Sequence, residues 1–283
     1  MANAEGKKKG GGSSVDLGSV GGLVLALGGI LGGLILDKGK LADVEQVTAA
    51  MVVLGGTIGA VLVATPLSTV LAAAGSFVSV FMEKKQPVAE TIEELVGYAT
   101  KARKEGIVSL EQDASAIADP FLQKALNLAV DGKEISQIRA VMELEMDVIE
   151  HRGEAVAKVF EAAGGFAPTI GIIGAVLGLM QVMKNLANID EVGKGIASAF
   201  VATVYGVGVA NLFFLPAGSK LKARLKKEMQ LRELMLEGVL AIAEGLNPKL
   251  IRTKLDAYLP PAKAGKQKAA GAVGNARAAE AEG

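Results

Sequence analysis

Residues 162–183 read AAGGFAPTIGIIGAVLGLMQVM, a run of 22 positions without Asp, Glu, Lys, Arg or His. A helix rises 1.5 Å per residue, so such a run spans about 33 Å, enough to cross the roughly 30 Å hydrocarbon core of a bilayer. Three further uncharged runs occupy 17–36 (20 residues), 46–82 (37 residues) and 195–219 (25 residues). The pattern predicts an all-α polytopic membrane protein with four transmembrane helices and a helical cytoplasmic domain. The 46–82 run is too long for one plain span, and Pro66 and the stretch Ala72-Ala73-Ala74-Gly75 are expected to mark its exit from the membrane. The first run is too long for the apolar part of a signal peptide, and no small-residue cleavage pattern follows before Asp37.

The composition narrows the function. The 283 residues carry 30 Lys+Arg and 30 Asp+Glu, one His, no Cys and no Trp; the apolar fraction is 51% and the mean hydropathy +0.39. A zero net charge excludes a nucleic-acid partner, which demands a basic excess against phosphates. Without Cys there are no disulfides, thiol catalysis or thiolate metal sites, and one His leaves little material for a catalytic triad or a zinc site. No cofactor and no enzymatic activity are expected.

Where the charges sit sets the orientation. Counted alternately, the segments between runs place 26 basic residues on one side and 4 on the other. The positive-inside rule then puts both termini and the 83–161 segment in the cytoplasm, with Lys84, Lys85, Lys220, Lys222 and Arg224 flanking the spans there. The expected organisation is a flexible leader (1–15), a transmembrane hairpin (16–82), a cytoplasmic helical domain (83–161), a second hairpin (162–219), a cytoplasmic helical extension (220–259) and a disordered tail (260–283). Segment 83–161 carries a net charge of −6 and segment 220–283 of +6, which favours packing between them. Within 83–161, helices are expected at 91–103, broken by Gly106, at 110–118, from Asp119-Pro120 to Val130, and at 134–160, running towards the third span with Gly164-Gly165 as its one candidate interruption. A further helix at 221–243 should extend the fourth span.

The spans are rich in glycine. Gly28 with Gly32, and Gly174 with Gly178, are small-xxx-small pairs that let helix backbones approach closely in lipid, within the chain or between copies. Pro168 and Pro216 stand at the cytoplasmic edges of spans three and four, where a missing N–H bends a helix or serves as a hinge. No span contains Asp, Glu, Lys, Arg or His, although proton and ion pathways usually carry such a group. Either this chain conducts nothing, or another polypeptide brings the carboxylate.

The ordered set of short stretches resembles the MotA/PomA family of flagellar stator A subunits, within the MotA/TolQ/ExbB superfamily. The stretches are Asp16-Leu17-Gly18, Val53-Leu54-Gly55-Gly56-Thr57-Ile58-Gly59-Ala60, Ala102-Arg103-Lys104-Glu105-Gly106-Ile107 with Leu110-Glu111, residues 167–178 (APTIGIIGAVLG), Tyr205-Gly206 and residues 211–216. The resemblance covers roughly residues 16–259. It implies a homopentamer around a dimer of a peptidoglycan-anchored MotB-type B subunit, whose intramembrane Asp carries the ion, in the bacterial inner membrane. Ion flow would turn the A ring against the rotor protein FliG to drive motility under chemotactic control. Arg103 and Glu111 match the family's rotor-contact positions; outside that family they would read as an ordinary solvated face. Pro168, Pro216 and Thr203 match its span prolines and a channel-facing threonine. Ala175 stands seven residues after Pro168, where sodium-driven members tend to carry threonine. A methyl group cannot replace a sodium ion's hydration shell, so H+ is the expected coupling ion, with Na+ the lesser alternative. The rival readings are an ExbB/TolQ-like subunit for envelope transport or integrity, and a non-conducting membrane scaffold.

Overall fold

The computed structural model describes residues 14–83, 86–184, 186–187 and 189–259. Most of the expected leader, the expected tail 260–283, and Lys84 and Lys85 lie outside the described residues. Eleven α-helices carry these residues: α1 Leu17–Leu36, α2 Val47–Ala50, α3 Gly56–Ala64, α4 Leu67–Ser76, α5 Val88–Glu105, α6 Glu111–Ala116, α7 Pro120–Val130, α8 Ile135–Lys184, α9 Ile189–Val209, α10 Leu215–Ala243 and α11 Pro248–Leu255. A wide π-turn, Met51–Gly55, joins α2 to α3, and another, Ala210–Phe214, joins α9 to α10. The strand pairing among the described residues is minimal: Ser14–Val15 lies antiparallel to Met82–Glu83. Four helical stretches are long and apolar enough to cross a membrane: Leu17–Leu36, Leu41–Ala64, Ile135–Lys184 and Ile189–Ala243. Large apolar side chains on them stand exposed, Val63 at 91% and Leu25 at 79%. Only lipid or another chain can cover such surfaces at acceptable cost.

The long uncharged run divides where proline requires it. Thr65 is extended (φ −137°, ψ 139°), as a residue before proline prefers, and Pro66 then opens α4. Ala72 to Gly75, expected at the membrane exit, lie inside α4. The helix expected at 134–160 continues without interruption through Gly164-Gly165 to Lys184, 50 residues in one element. Within the expected helical extension 220–259, α11 forms a separate helix beyond the one expected at 221–243; Asn247 caps it by accepting from the Lys249 N–H, with Pro248 in its first turn.

Two compact units divide the chain: Met1–Lys85 with His151–Leu225, and Gln86–Glu150 with Lys226–Gly283. The divisions fall inside α8 and α10, about ten and six residues from the boundaries expected at 161 and 219. In the second unit segments 86–150 and 226–259 share one core. Ile92 and Leu95 of α5, Leu110 just before α6, Phe121, Leu122 and Leu126 of α7, and Ile138 and Met142 of α8 pack with Leu234, Leu240, Ile251 and Leu255. Ion pairs join the same elements at the surface: Arg252 makes a bidentate bond to Glu93, and Glu237 receives both Arg139 and Lys254. The Arg252 guanidinium holds the Glu93 carboxyl below its ordinary range. Arg232 lies over the Phe121 ring, 5.2 Å from its centre.

In the first unit, α1 buries no residue and is fastened at its end. The Asp16 carboxylate accepts from the Ser19 N–H, capping α1, and pairs with Lys220 and Arg224; the Asp16 N–H donates to the Phe81 carbonyl. Arg224 also donates to the Ser79 and Val80 carbonyls. The Lys220 ammonium, the Ser19 N–H and the Arg224 charge hold the Asp16 carboxyl down at about 2. A depressed pKa contributes stability above the unfolded value, about 4, and loses it as pH falls towards 2. Asp16→Asn should therefore lower the thermal midpoint of the membrane-extracted protein at pH 7 and pH 5 alike. That difference from wild type should shrink below about pH 4; equal midpoints at pH 7 would show that the clasp holds nothing.

Candidate functional site

The membrane part of the site is the line along which α8 meets α9. Four glycines set its closeness. A Cβ added at Gly206 would stand 2.5 Å from the Ala167 carbonyl oxygen and 3.0 Å from the Gly171 Cα. One at Gly171 would stand 2.9 Å from the Ala202 carbonyl oxygen, and one at Gly178 3.1 Å from the Ala199 Cα. At Gly174 it would meet the Ala202 Cβ at 2.9 Å and Val52 of the first π-turn at 3.4 Å. At Gly206 and Gly171 the nearest atom is backbone closer than 3.0 Å, so a methyl there requires the helices to move apart; at Gly174 and Gly178 the neighbours must shift by smaller amounts. Just beyond the π-turn, a Cβ at Gly56 would run 2.7 Å from Ile170. By contrast, Gly28 and Gly32 have nothing within 4 Å of an added Cβ, so that pair packs against no described residue of its own chain.

The other span residues lie along or beside this line. Ala175 follows Gly174 and is half-buried; Thr203 follows Ala202, is half-buried, and donates its hydroxyl to the Ala199 carbonyl at 3.4 Å. Pro168 follows Ala167, whose carbonyl meets Gly206, and Pro216 follows Leu215, whose side chain fills the space over Gly164. Gly164 precedes Pro168 by four residues, so the prolines stand about one helical turn apart in depth. Pro168 lies inside α8 and leaves the Gly164 carbonyl without its helical donor. Pro216 follows the second π-turn, whose wider winding accommodates a ring that cannot donate. Tyr205 closes the other side: its hydroxyl donates to the Val44 carbonyl at 2.5 Å and accepts from the Gln46 N–H at 3.2 Å. The Thr57 hydroxyl is buried with no partner among the described residues. The line thus offers hydroxyls and amides but no charged group.

The charged part of the site belongs to the second unit. Gly106 ends α5 with φ +86°, a conformation side chains rarely adopt, and a 3-10 turn Ile107–Leu110 leads into α6. Leu110 and Ala114 anchor this corner in the core, both fully buried. Arg103 and Glu111 stand on either side of it, exposed, and neither side chain has an ion pair among the described residues. Between the same two helices, the Lys101 ammonium lies 2.6 Å from the Asp113 carboxylate, which raises the lysine's pKa.

Sequence reasoning singled out Gly174 and Gly178 but not Gly171, although Gly171, Gly174 and Gly178 recur at helical spacing on one face. Gly206 was quoted only as part of the Tyr205-Gly206 stretch; its closeness to Ala167 and Gly171 depends on a helix brought opposite by tertiary structure.

Comparison with known proteins gives this geometry its context. Residues 20–106 match the motility protein A N-terminal family, and residues 113–234 the MotA/TolQ/ExbB proton channel family. The motility protein A of Bacillus subtilis (strain 168) is 38% identical over 250 residues, covering 87% of this chain and 92% of that protein. The solved C. jejuni MotAB structure contains a chain that superposes with a TM-score of 0.83 at 32% identity, covering 87% of this chain and 96% of that one. The flagellar MotAB stator complex from Bacillus subtilis gives 0.81 at 36% identity, with 88% and 98% covered. These are membrane-embedded channel subunits rather than enzymes. The chain belongs to the MotA/TolQ/ExbB proton channel family, and within it to the motility protein A subunits of the ion-driven flagellar stator.

Proposed function

We propose that this chain assembles as a homopentamer around a dimer of a MotB-type B subunit in the bacterial inner membrane, with its N- and C-termini in the cytoplasm. Protons pass between the two kinds of subunit, and the A ring transmits torque to the rotor protein FliG through Arg103 and Glu111. The observation that carries this reading is the α8–α9 line: tightly packed, lined by Thr203 and Ala175, and without an Asp, Glu, Lys, Arg or His of its own. A channel of this composition requires a carboxylate from a partner, and the solved relatives are MotAB complexes. The excess of basic residues on the side of segment 83–161 supports the orientation. Ala175, a methyl where a sodium site would use a hydroxyl, supports H+ over Na+. The match of residues 20–106 to the motility protein A N-terminal family favours a stator over an ExbB/TolQ-like envelope transducer.

The test is motility in a cell lacking its own copy of this gene. Such cells should build flagella that do not turn, and the full chain should restore swimming. Restored swimming should continue in sodium-free medium and stop with a protonophore. Swimming that stops on sodium removal and survives the protonophore would overturn the proton assignment.

A further inference from the structure

Arg103 and Glu111 are opposite charges eight residues apart, on helices joined by Gly106 and a four-residue 3-10 turn. Opposite charges this close in sequence could pair across the turn, yet neither has an ion pair among the described residues. The reason lies two residues away on each helix. Lys101 and Arg103 sit two positions apart on α5, and Glu111 and Asp113 two positions apart on α6. Two positions on a helix correspond to about 200° of rotation, so each pair points to opposite faces. The faces that meet are occupied by Lys101 and Asp113, bonded at 2.6 Å; the faces turned away carry Arg103 and Glu111.

We infer that Lys101 and Asp113 are positioning residues: by pairing with each other they keep Arg103 and Glu111 separated and unpaired, available to a charged partner surface. This rests on the reading of Arg103 and Glu111 as the torque contact. The corner itself is anchored by Leu110 and Ala114, whereas a half-exposed ion pair adds little to stability. The pair therefore acts by selecting which charges are engaged. With Lys101 removed, Asp113 becomes a competitor for Arg103 and Lys104; with Asp113 removed, Lys101 becomes a competitor for Glu111. Charge reversal makes each competition stronger.

The experiment uses the full chain in cells deleted for their own copy, comparing Lys101→Asp, Asp113→Lys, the double swap, and Arg103→Glu. Readouts are motor torque from a bead on the flagellar stub, membrane abundance of the chain, and proton leak through the complex with its B subunit. Each single reversal should cut torque by about twofold or more, and the double swap should restore most of it, with abundance and leak unchanged throughout. Single reversals at full torque, or a double swap no better than the singles, would overturn the inference while Arg103→Glu still stops the motor. Full torque in Arg103→Glu would instead overturn the contact reading itself. Loss of abundance or leak together with torque in the single reversals would assign the pair a structural role and refute the inference.

Discussion

Gly206→Ala is expected to abolish motility and lower the amount of folded protein in the membrane. The added methyl would stand 2.5 Å from the Ala167 carbonyl oxygen and 3.0 Å from the Gly171 Cα. Both obstacles are backbone, so no side-chain rotation relieves the overlap, and α8 and α9 must separate. Alanine gains about 1 kcal/mol of helix propensity over glycine, but overpacking costs about 1–3 kcal/mol and here also widens the line where Thr203 and Ala175 lie. Gly208→Ala is the comparison: two residues further on the same helix, its added Cβ meets nothing within 4 Å. The thermal midpoint of the extracted complex and swimming speed are the measurements. Gly206→Ala that swims and melts like Gly208→Ala would mean that the close approach is not required.

Reversing charge at Arg103 or at Glu111 should stop rotation through a different route. Both side chains are exposed, and neither contributes to the core beneath them. Arg103→Glu and Glu111→Lys should therefore leave membrane abundance and proton leak at wild-type values. Torque should fall to that of a strain without the chain, since reversal turns attraction with a partner charge into repulsion worth several kcal/mol. Raising ionic strength around a permeabilised motor should weaken the wild-type contact as well, because exposed charges are screened. Full torque in both reversals would place the rotor contact elsewhere.

The parts of this molecule that were legible in sequence follow from strong local physics. Four charge-free runs have no stable place but a bilayer, and the structure supplies a suitably long helix for each. Gly106 reads as a stop and Asp119-Pro120 as a start, and both act so. What stayed hidden depends on distant contacts. The π-turns before Gly56 and Pro216 have no composition signature beyond the residues that follow them. The common core of segments 86–150 and 226–259 was not legible from charge, because 226–259 holds six basic residues against five acidic ones, and its apolar partners, such as Leu95 against Gly238, are far apart in the chain. The helix expected at 110–118 is present as α6, Glu111–Ala116; the 3-10 turn Ile107–Leu110 that carries the chain from Gly106 into it was not expected. Lys101 and Asp113, twelve positions apart across that turn, could not be paired by any helical spacing rule.

The central claim is that this chain builds one wall of a proton path and needs a partner's carboxylate to complete it. Proteoliposomes with an imposed membrane potential and an internal pH dye test it most directly. They would hold the chain alone, the chain with its B subunit, or the chain with a B subunit whose membrane Asp is replaced by Asn. Proton uptake is predicted with the intact pair and in neither other case. Uptake by the chain alone, or uptake that persists after the Asp→Asn replacement, would contradict the account.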